Sequence, residues 1–173
     1  MLIRPRCDSD AEALEAIAYR THELDGYPKY MPQDLRSFIV DTGALGAWVA
    51  VDGARVVGHV ALHRSSVAEV METALSVTGL TVDGIAVVAR MLVDPGARRQ
   101  GIGRALLEKA TDEAARLGRR AVLDVVDDHR AALALYDDCG WTRVGQVDWE
   151  LQDGMPFREF VYVAPAPSAE WPA

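Results

Sequence analysis

The 173-residue sequence predicts an α/β (α+β) fold: a central mixed, mostly antiparallel sheet of about seven strands with helices on both faces. Three observations predict it. Asp52-Gly53 separates two β-rich runs, a strong signal for a two-residue hairpin and so for an antiparallel start to the sheet. The second half of the chain alternates strand and helix patterns, the order of β-α-β units. Half of the residues are hydrophobic, enough to bury a sizeable core without disulfide staples.

The elements follow in order. Leu2 to Cys7 reads as a short strand. Ser9-x-x-Glu12 has the form of a capping box and opens a helix with Leu14, Ile17 and Ala18 on one face. Gly26, Pro28 and Pro32 break the chain, and Pro32 suits the first position of a second helix carrying Leu35, Phe38 and Ile39. Gly46 to Val51 and Arg55 to His63 are the hairpin strands. Residues 64–84 are too long for a hairpin loop, but Val67, Val70, Met71, Ala74 and Leu75 form a helical stripe, which predicts an inserted helix. Ile85 to Val93 is the next strand. A helix from about Gly101 to Leu117 turns Leu106, Leu107, Ala110, Ala114 and Leu117 inward, and Gly118 ends it. Ala121 to Val126 is a strand, and Arg130 to Cys139 a short helix with Ala132, Leu135, Tyr136 and Cys139 on one face. Trp141 to Trp149 and Phe157 to Val163 are the last strands.

Asp and Glu outnumber Lys and Arg by 26 to 18, a formal charge of −8. Such a surface repels phosphate backbones, which argues against nucleic acid, and it suits a cationic substrate. Cys7 and Cys139 have neither metal-type nor C-x-x-C spacing and read as reduced thiols of a cytoplasmic protein. No apolar targeting region follows Met1, and no apolar run approaches the ~18 residues of a membrane span. Residues 1–165 read as one domain and the Pro-Ala alternation of 166–173 as a mobile tail. A homodimer is compatible with the chain. His59 and His63, four apart on a strand, are too widely spaced for an ordinary metal pair, and His22-Glu23 lacks the second His of H-E-x-x-H, so no metal is expected.

Chemistry concentrates in Met91-Leu92-Val93-Asp94-Pro95-Gly96-Ala97-Arg98-Arg99-Gln100-Gly101-Ile102-Gly103-Arg104. Strand, turn and helix place consecutive N–H groups at a helix N-terminus, where the dipole is positive. Gly101 and Gly103 carry no Cβ, so a diphosphate can approach the backbone, and Arg98, Arg99 and Arg104 add positive charge. A Walker A reading fails because Ile102 and Gly103 stand where Lys and Ser/Thr must be. A G-x-G-x-x-G reading fails because Leu106 stands at the third glycine.

Arg98-x-x-Gly101-x-Gly103 resembles the (Gln/Arg)-x-x-Gly-x-(Gly/Ala) signature of the GCN5-related N-acetyltransferase (GNAT) superfamily. A second block, Leu123-Asp124-Val125 followed by Ala132-x-x-Leu135-Tyr136-x-x-x-Gly140-Trp141, is similar to the family's later motif. The resemblance covers residues 2–163 in element order and is motif-specific over about 85–145. His129 stands where the family usually has an Asn that contacts the cofactor.

The resemblance implies a GNAT fold with a V-shaped splay between strands 4 and 5 and acetyl-CoA as acetyl donor. It implies that Met91 and Val93 offer backbone groups to the pantetheine arm and that an N–H near Leu92 stabilises the oxyanion. Arg98, Arg99, Gln100, Gly101, Ile102, Gly103 and Arg104 would hold the diphosphate, with His129 nearby. Tyr136 matches the family's general acid. Asp124, twelve residues before it, has the spacing of the acid-base pair in ribosomal-protein alanine N-acetyltransferases, whose base is Glu; Asp83 is a weaker candidate. The implied activity is acetyl transfer to a primary amine of a small molecule or a peptide, by direct attack through a tetrahedral intermediate. The alternative is a catalytically weak acyl-CoA sensor. Tyr27, Tyr30, Trp48 and Trp149 are candidates for an acceptor pocket or for the core.

Overall fold

The computed structural model describes residues 1–166 apart from Tyr30 and 151–153. The expected acceptor candidate Tyr30 and nearly all of the expected tail lie outside the described residues. The elements are β1 (Leu2–Pro5), α1 (Ala11–Asp25), α2 (Leu35–Ile39), β2 (Gly46–Asp52), β3 (Arg55–His63), α3 (Ala68–Thr78), β4 (Ile85–Val93), α4 (Ile102–Arg116), β5 (Arg120–Val126), α5 (Arg130–Asp138), β6 (Thr142–Glu150) and β7 (Pro156–Val163). Seven strands follow the order β1-β2-β3-β4-β5-β7-β6, the mixed sheet that the sequence predicts. The chain forms two compact units, residues 1–63 with 89–110 and residues 64–88 with 111–173. β4 and α4 each contribute to both.

In the first unit, β1 and β3 both run antiparallel to β2, and Asp52 pairs with Arg55 around the predicted hairpin turn. Gly53 has φ +58, as a tight hairpin turn requires. Leu14 and Ile17 of α1, Leu35 and Ile39 of α2, Val49 of β2 and Leu92 of β4 form the core. Gly58 on β3 allows a close approach: a Cβ there would lie 2.9 Å from Leu106 Cδ1 and 3.0 Å from the Leu92 carbonyl.

Two expected helix starts are corrected. Ser9 does not open α1. Asp10 is buried, accepts the Cys7 N–H at 2.8 Å and pairs with Arg4 at 2.7 Å, so a tertiary ion pair selects the carboxylate over the hydroxyl. Pro32 does not open α2 either. Asp34 caps it, accepting from the Ser37 N–H at 2.9 Å and the Ser37 hydroxyl at 2.6 Å.

In the second unit, β4 and β5 pair in parallel over Ile85–Val87 and Arg120–Val122, and β7 runs antiparallel to both β5 and β6. The inserted helix is present as α3. Its Val70, Met71 and Ala74 pack with Val122, Val147, Val161 and Val163. Gly145 lets α3 sit close on β6, since a Cβ there would be 2.5 Å from Thr73 Cγ2. Leu117 is not inward as expected but 41% exposed. α4 stops at Arg116 and Gly118 turns left-handed at φ +71, carrying Leu117 off the buried stripe. Among the described residues no helix is long and apolar enough to cross a membrane.

Candidate active site

β4 carries a kink where the sequence places donor-binding backbone. Arg90 has φ +52, a left-handed conformation that costs a non-glycine residue about 1 kcal/mol or more. His59, fully buried on β3, holds it: Nδ1–H donates to the Arg90 carbonyl at 2.8 Å. Arg6 Nη1 faces His59 Nε2 at 3.4 Å, and Arg90 Nη1 donates to His63 Nε2 at 2.6 Å. Asp41 closes the cluster, 3.4 Å from His63 Nδ1 and 3.5 Å from Arg90. Burial, then the neighbouring arginines, pushes His59 down to about 4; burial and Arg90 lower His63. Both imidazoles are therefore neutral acceptors for guanidinium groups. They form no metal site, and among the described residues no group of three His, Cys, Asp or Glu could hold a metal.

Beyond the kink, Leu92 is buried in the core, while Met91 and Val93 are half-buried. Asp94 ends the strand. Its N–H donates to the Val57 carbonyl at 2.9 Å, and its buried carboxylate meets Arg20 at 3.0 Å and Arg55 at 3.8 Å. A 3-10 turn, Pro95–Ala97, leads into the glycine turn. Arg99 (φ +64) and Gly101 (φ +79) are both left-handed. A Cβ at Gly101 would meet nothing within 4 Å, so the backbone there faces open space. α4 begins immediately after, and its first N–H groups lack intrahelical partners. Arg99, Gln100 and Arg104 are exposed. Arg98 donates to Asp25 at the end of α1. Ile102 is buried, so only its backbone can serve a ligand. An open glycine, a row of helix N-terminal N–H groups and two exposed arginines fit a diphosphate.

The second unit holds the expected acid and base. Tyr136 on α5 is buried, its ring centroid 5.7 Å from that of Tyr162 on β7 and 6.1 Å from that of Trp141. Tyr162 anchors α5 by donating its hydroxyl to Asp137 at 3.1 Å. Asp124 on β5 lies opposite Val161 on β7, whereas Leu123 lies opposite Tyr162. Side chains alternate along a strand, so Tyr136 and Asp124 stand on opposite faces of β5. Asp124 shares its face with the apolar cluster under α3, and Ser66, just before α3, donates to its Oδ1 at 3.3 Å. Burial pushes the Asp124 carboxyl up, opposed by the Ser66 hydrogen bond. His129 precedes α5 as its N-cap, with Nε2 3.7 Å from Asp128.

Sequence reasoning missed Glu159 on β7. It lies opposite Val126 and therefore on the Asp124 face. Trp149 on β6 donates Nε1–H to its Oε2 at 2.7 Å and stacks on Phe157, centroids 6.4 Å apart. Burial first, then the Asp124 charge, pushes Glu159 up to about 7, against the Trp149 hydrogen bond. No local motif marks Glu159; only the β5–β7 register brings it to Asp124. Three other candidates stand elsewhere. Asp83 is 95% exposed and faces Arg119 at 3.5 Å. Trp48 is buried, and Tyr27 packs on the first unit's core.

The acetyltransferase (GNAT) family profile matches residues 11–141. The [ribosomal protein bS18]-alanine N-acetyltransferase of Escherichia coli K12 is 39% identical over 69 residues, which is 39% of this chain and 46% of that protein. The match thus spans less than half the length of that relative. Arabidopsis thaliana NAA60 in complex with acetyl-CoA superposes with a TM-score of 0.72 at 19% identity, covering 94% of this chain and 96% of that one. The ribosomal-protein-S18-alanine N-acetyltransferase structure from Escherichia coli superposes with a TM-score of 0.67 at 21% identity, covering 98% of each chain. At these identities the structures share a fold with this chain.

Proposed function

The chain belongs to the acetyltransferase (GNAT) family, enzymes that use acetyl-CoA, and from this premise we propose that it transfers acetyl to a primary amine of a small molecule or a peptide. The observation that carries the reading is the placement of Tyr136 and Asp124 on opposite faces of β5. Direct transfer needs a proton donor on the leaving-thiol side and a proton acceptor on the amine side.

Bound acetyl-CoA supplies a thioester carbon open to attack by a neutral amine. The N-terminal N–H groups of α4, with Arg99 and Arg104, hold the diphosphate. Arg98 braces the turn from Asp25. Met91 and Val93 present strand-edge N–H and C=O groups after the Arg90 kink, and the Leu92 N–H polarises the acyl oxygen. Tyr136 donates its hydroxyl proton to the departing thiolate. Asp124 receives the amine proton, directly or through water.

The test is a screen of amines and N-terminal peptides with acetyl-CoA, reading free CoA thiol and the acetylated product. Acetyl-CoA binding without transfer to any amine would favour the sensor reading instead.

A further inference from the structure

We propose that Asp124 and Glu159 work as one proton-accepting pair, with Glu159 the positioning residue that sets the basicity of Asp124 for an acceptor that arrives as its ammonium ion. This rests on the acetyl-transfer reading above.

The geometry is local to the second unit. Asp124 faces Val161 across the β5–β7 ladder and Glu159 faces Val126, so the two carboxyls are diagonal neighbours on one face. Such neighbours lie roughly 7–8 Å apart at Cα, within reach of each other's side chains. Both accept from neutral donors, Asp124 from Ser66 at 3.3 Å and from its own backbone N–H, and Glu159 from Trp149 at 2.7 Å. Among the described residues neither has a Lys or Arg partner. Among the described residues, the titratable group whose charge acts on Glu159 is Asp124 from β5. β6 presents the Trp149 indole and Val147, and α3 turns its apolar Val70, Met71 and Ala74 to this face.

A lone Asp, with an ordinary pKa of ~3.9, is a poor base for an ammonium proton. Two carboxyls sharing a site behave differently: the second ionisation sets like charges side by side and is pushed toward neutral pH. Burial raises both groups, and the Asp124 charge raises Glu159 further. The doubly ionised pair therefore takes up a proton near neutral pH, where a general base is most effective. The balance is simple. One N–H bond of R–NH3+ breaks, one carboxyl O–H forms, the amine keeps the electron pair for attack, and the pair passes from two negative charges to one. The same two charges favour a cationic acceptor over a neutral or anionic one.

Two experiments on the full chain test this. In a 13C-carboxyl NMR titration, Glu159 should titrate near pH 7 and fall by about one unit or more in Asp124→Asn. An unmoved Glu159 would overturn the pair, whatever the acceptor. In pH profiles of kcat/KM, the acid limb should shift down by about one unit or more in Glu159→Gln, which can still accept the Trp149 N–H, and shift up in Trp149→Phe, which removes that donor. A slower Glu159→Gln enzyme with an unmoved limb would make Glu159 a packing residue and overturn the proposal. If the wild-type chain acetylates no amine, the acetyl-transfer reading fails, and with it the catalytic use of the pair; the NMR titration still judges the shared proton separately.

Discussion

Two half-buried charged clusters, one in each unit, solve opposite problems. Around Arg90 the groups alternate: Arg6 meets neutral His59, Arg90 meets neutral His63, and Asp41 closes the set. Every contact there pairs a donor with an acceptor, and together they hold a left-handed residue inside β4. Around Asp124 two like-signed carboxyls stand together with only neutral donors. Mixed charge, paired donor to acceptor, fixes a backbone shape. Like charge met only by neutral donors moves a proton affinity toward neutral pH.

The difference can be broken most forcefully on the donor side. Gly101→Val forces a β-branched residue to φ +79 and puts bulk into the open space beside the backbone. Strain of about 1–3 kcal/mol predicts roughly ten- to hundredfold weaker acetyl-CoA binding, read by calorimetry and by a lost rise in Tm. Tyr136→Phe tests the chemistry side. Its ring packing against Tyr162 and Trp141 is kept and only the hydroxyl goes, so kcat should fall roughly tenfold or more while acetyl-CoA affinity holds. A Phe variant with wild-type kcat, when chemistry is rate-limiting, would make Tyr136 a packing residue.

His59→Leu comes next. It strands the Arg90 carbonyl, while Arg6 keeps the Ile39 carbonyl at 2.6 Å, and should cost about 1–3 kcal/mol in chemical denaturation. It should also weaken acetyl-CoA binding, because the kink precedes Met91.

The smallest effect is a pair of opposite pH slopes. His59 is about 4 when folded against an ordinary 6.5, so its contribution is full above 6.5 and is lost as pH falls toward 4. Glu159 is about 7 when folded against an ordinary 4.5, so its ionisation costs nothing below 4.5 and a growing amount as pH rises to 7. Glu159→Gln should therefore match wild type at pH 4 and exceed it at pH 8, by about 1 kcal/mol after solvent screening, or roughly 2–4 °C in Tm. Equal Tm differences at both pH values would remove the ionisation argument.

What the sequence makes legible is what adjacent residues can say. The glycine turn, the Asp52-Gly53 hairpin and the α3 stripe are consecutive or periodic and appear where expected, except that Val67, the expected first residue of the stripe, is the exposed N-cap of α3. One failure is local, since Asp34 and not Pro32 caps α2 through Ser37 three residues on; the others depend on how the folded chain pairs and turns. Arg4 recruits Asp10 in place of Ser9, and the end of α4 turns Leu117 out. Glu159 joins Asp124 only through strand register, across 35 residues of chain. Motif spacing can single out a carboxylate on β5, but the carboxylate on whose proton affinity it acts stands on a strand that no motif marks.

Acceptor-dependent turnover tests the central claim most directly. Wild-type protein is mixed with acetyl-CoA and a panel of amines and peptides, and free CoA thiol is followed together with product mass. The account predicts thiol release matched one-to-one by an acetylated amine. Acetyl-CoA that raises Tm but yields no acetylated amine from any member of the panel would contradict it.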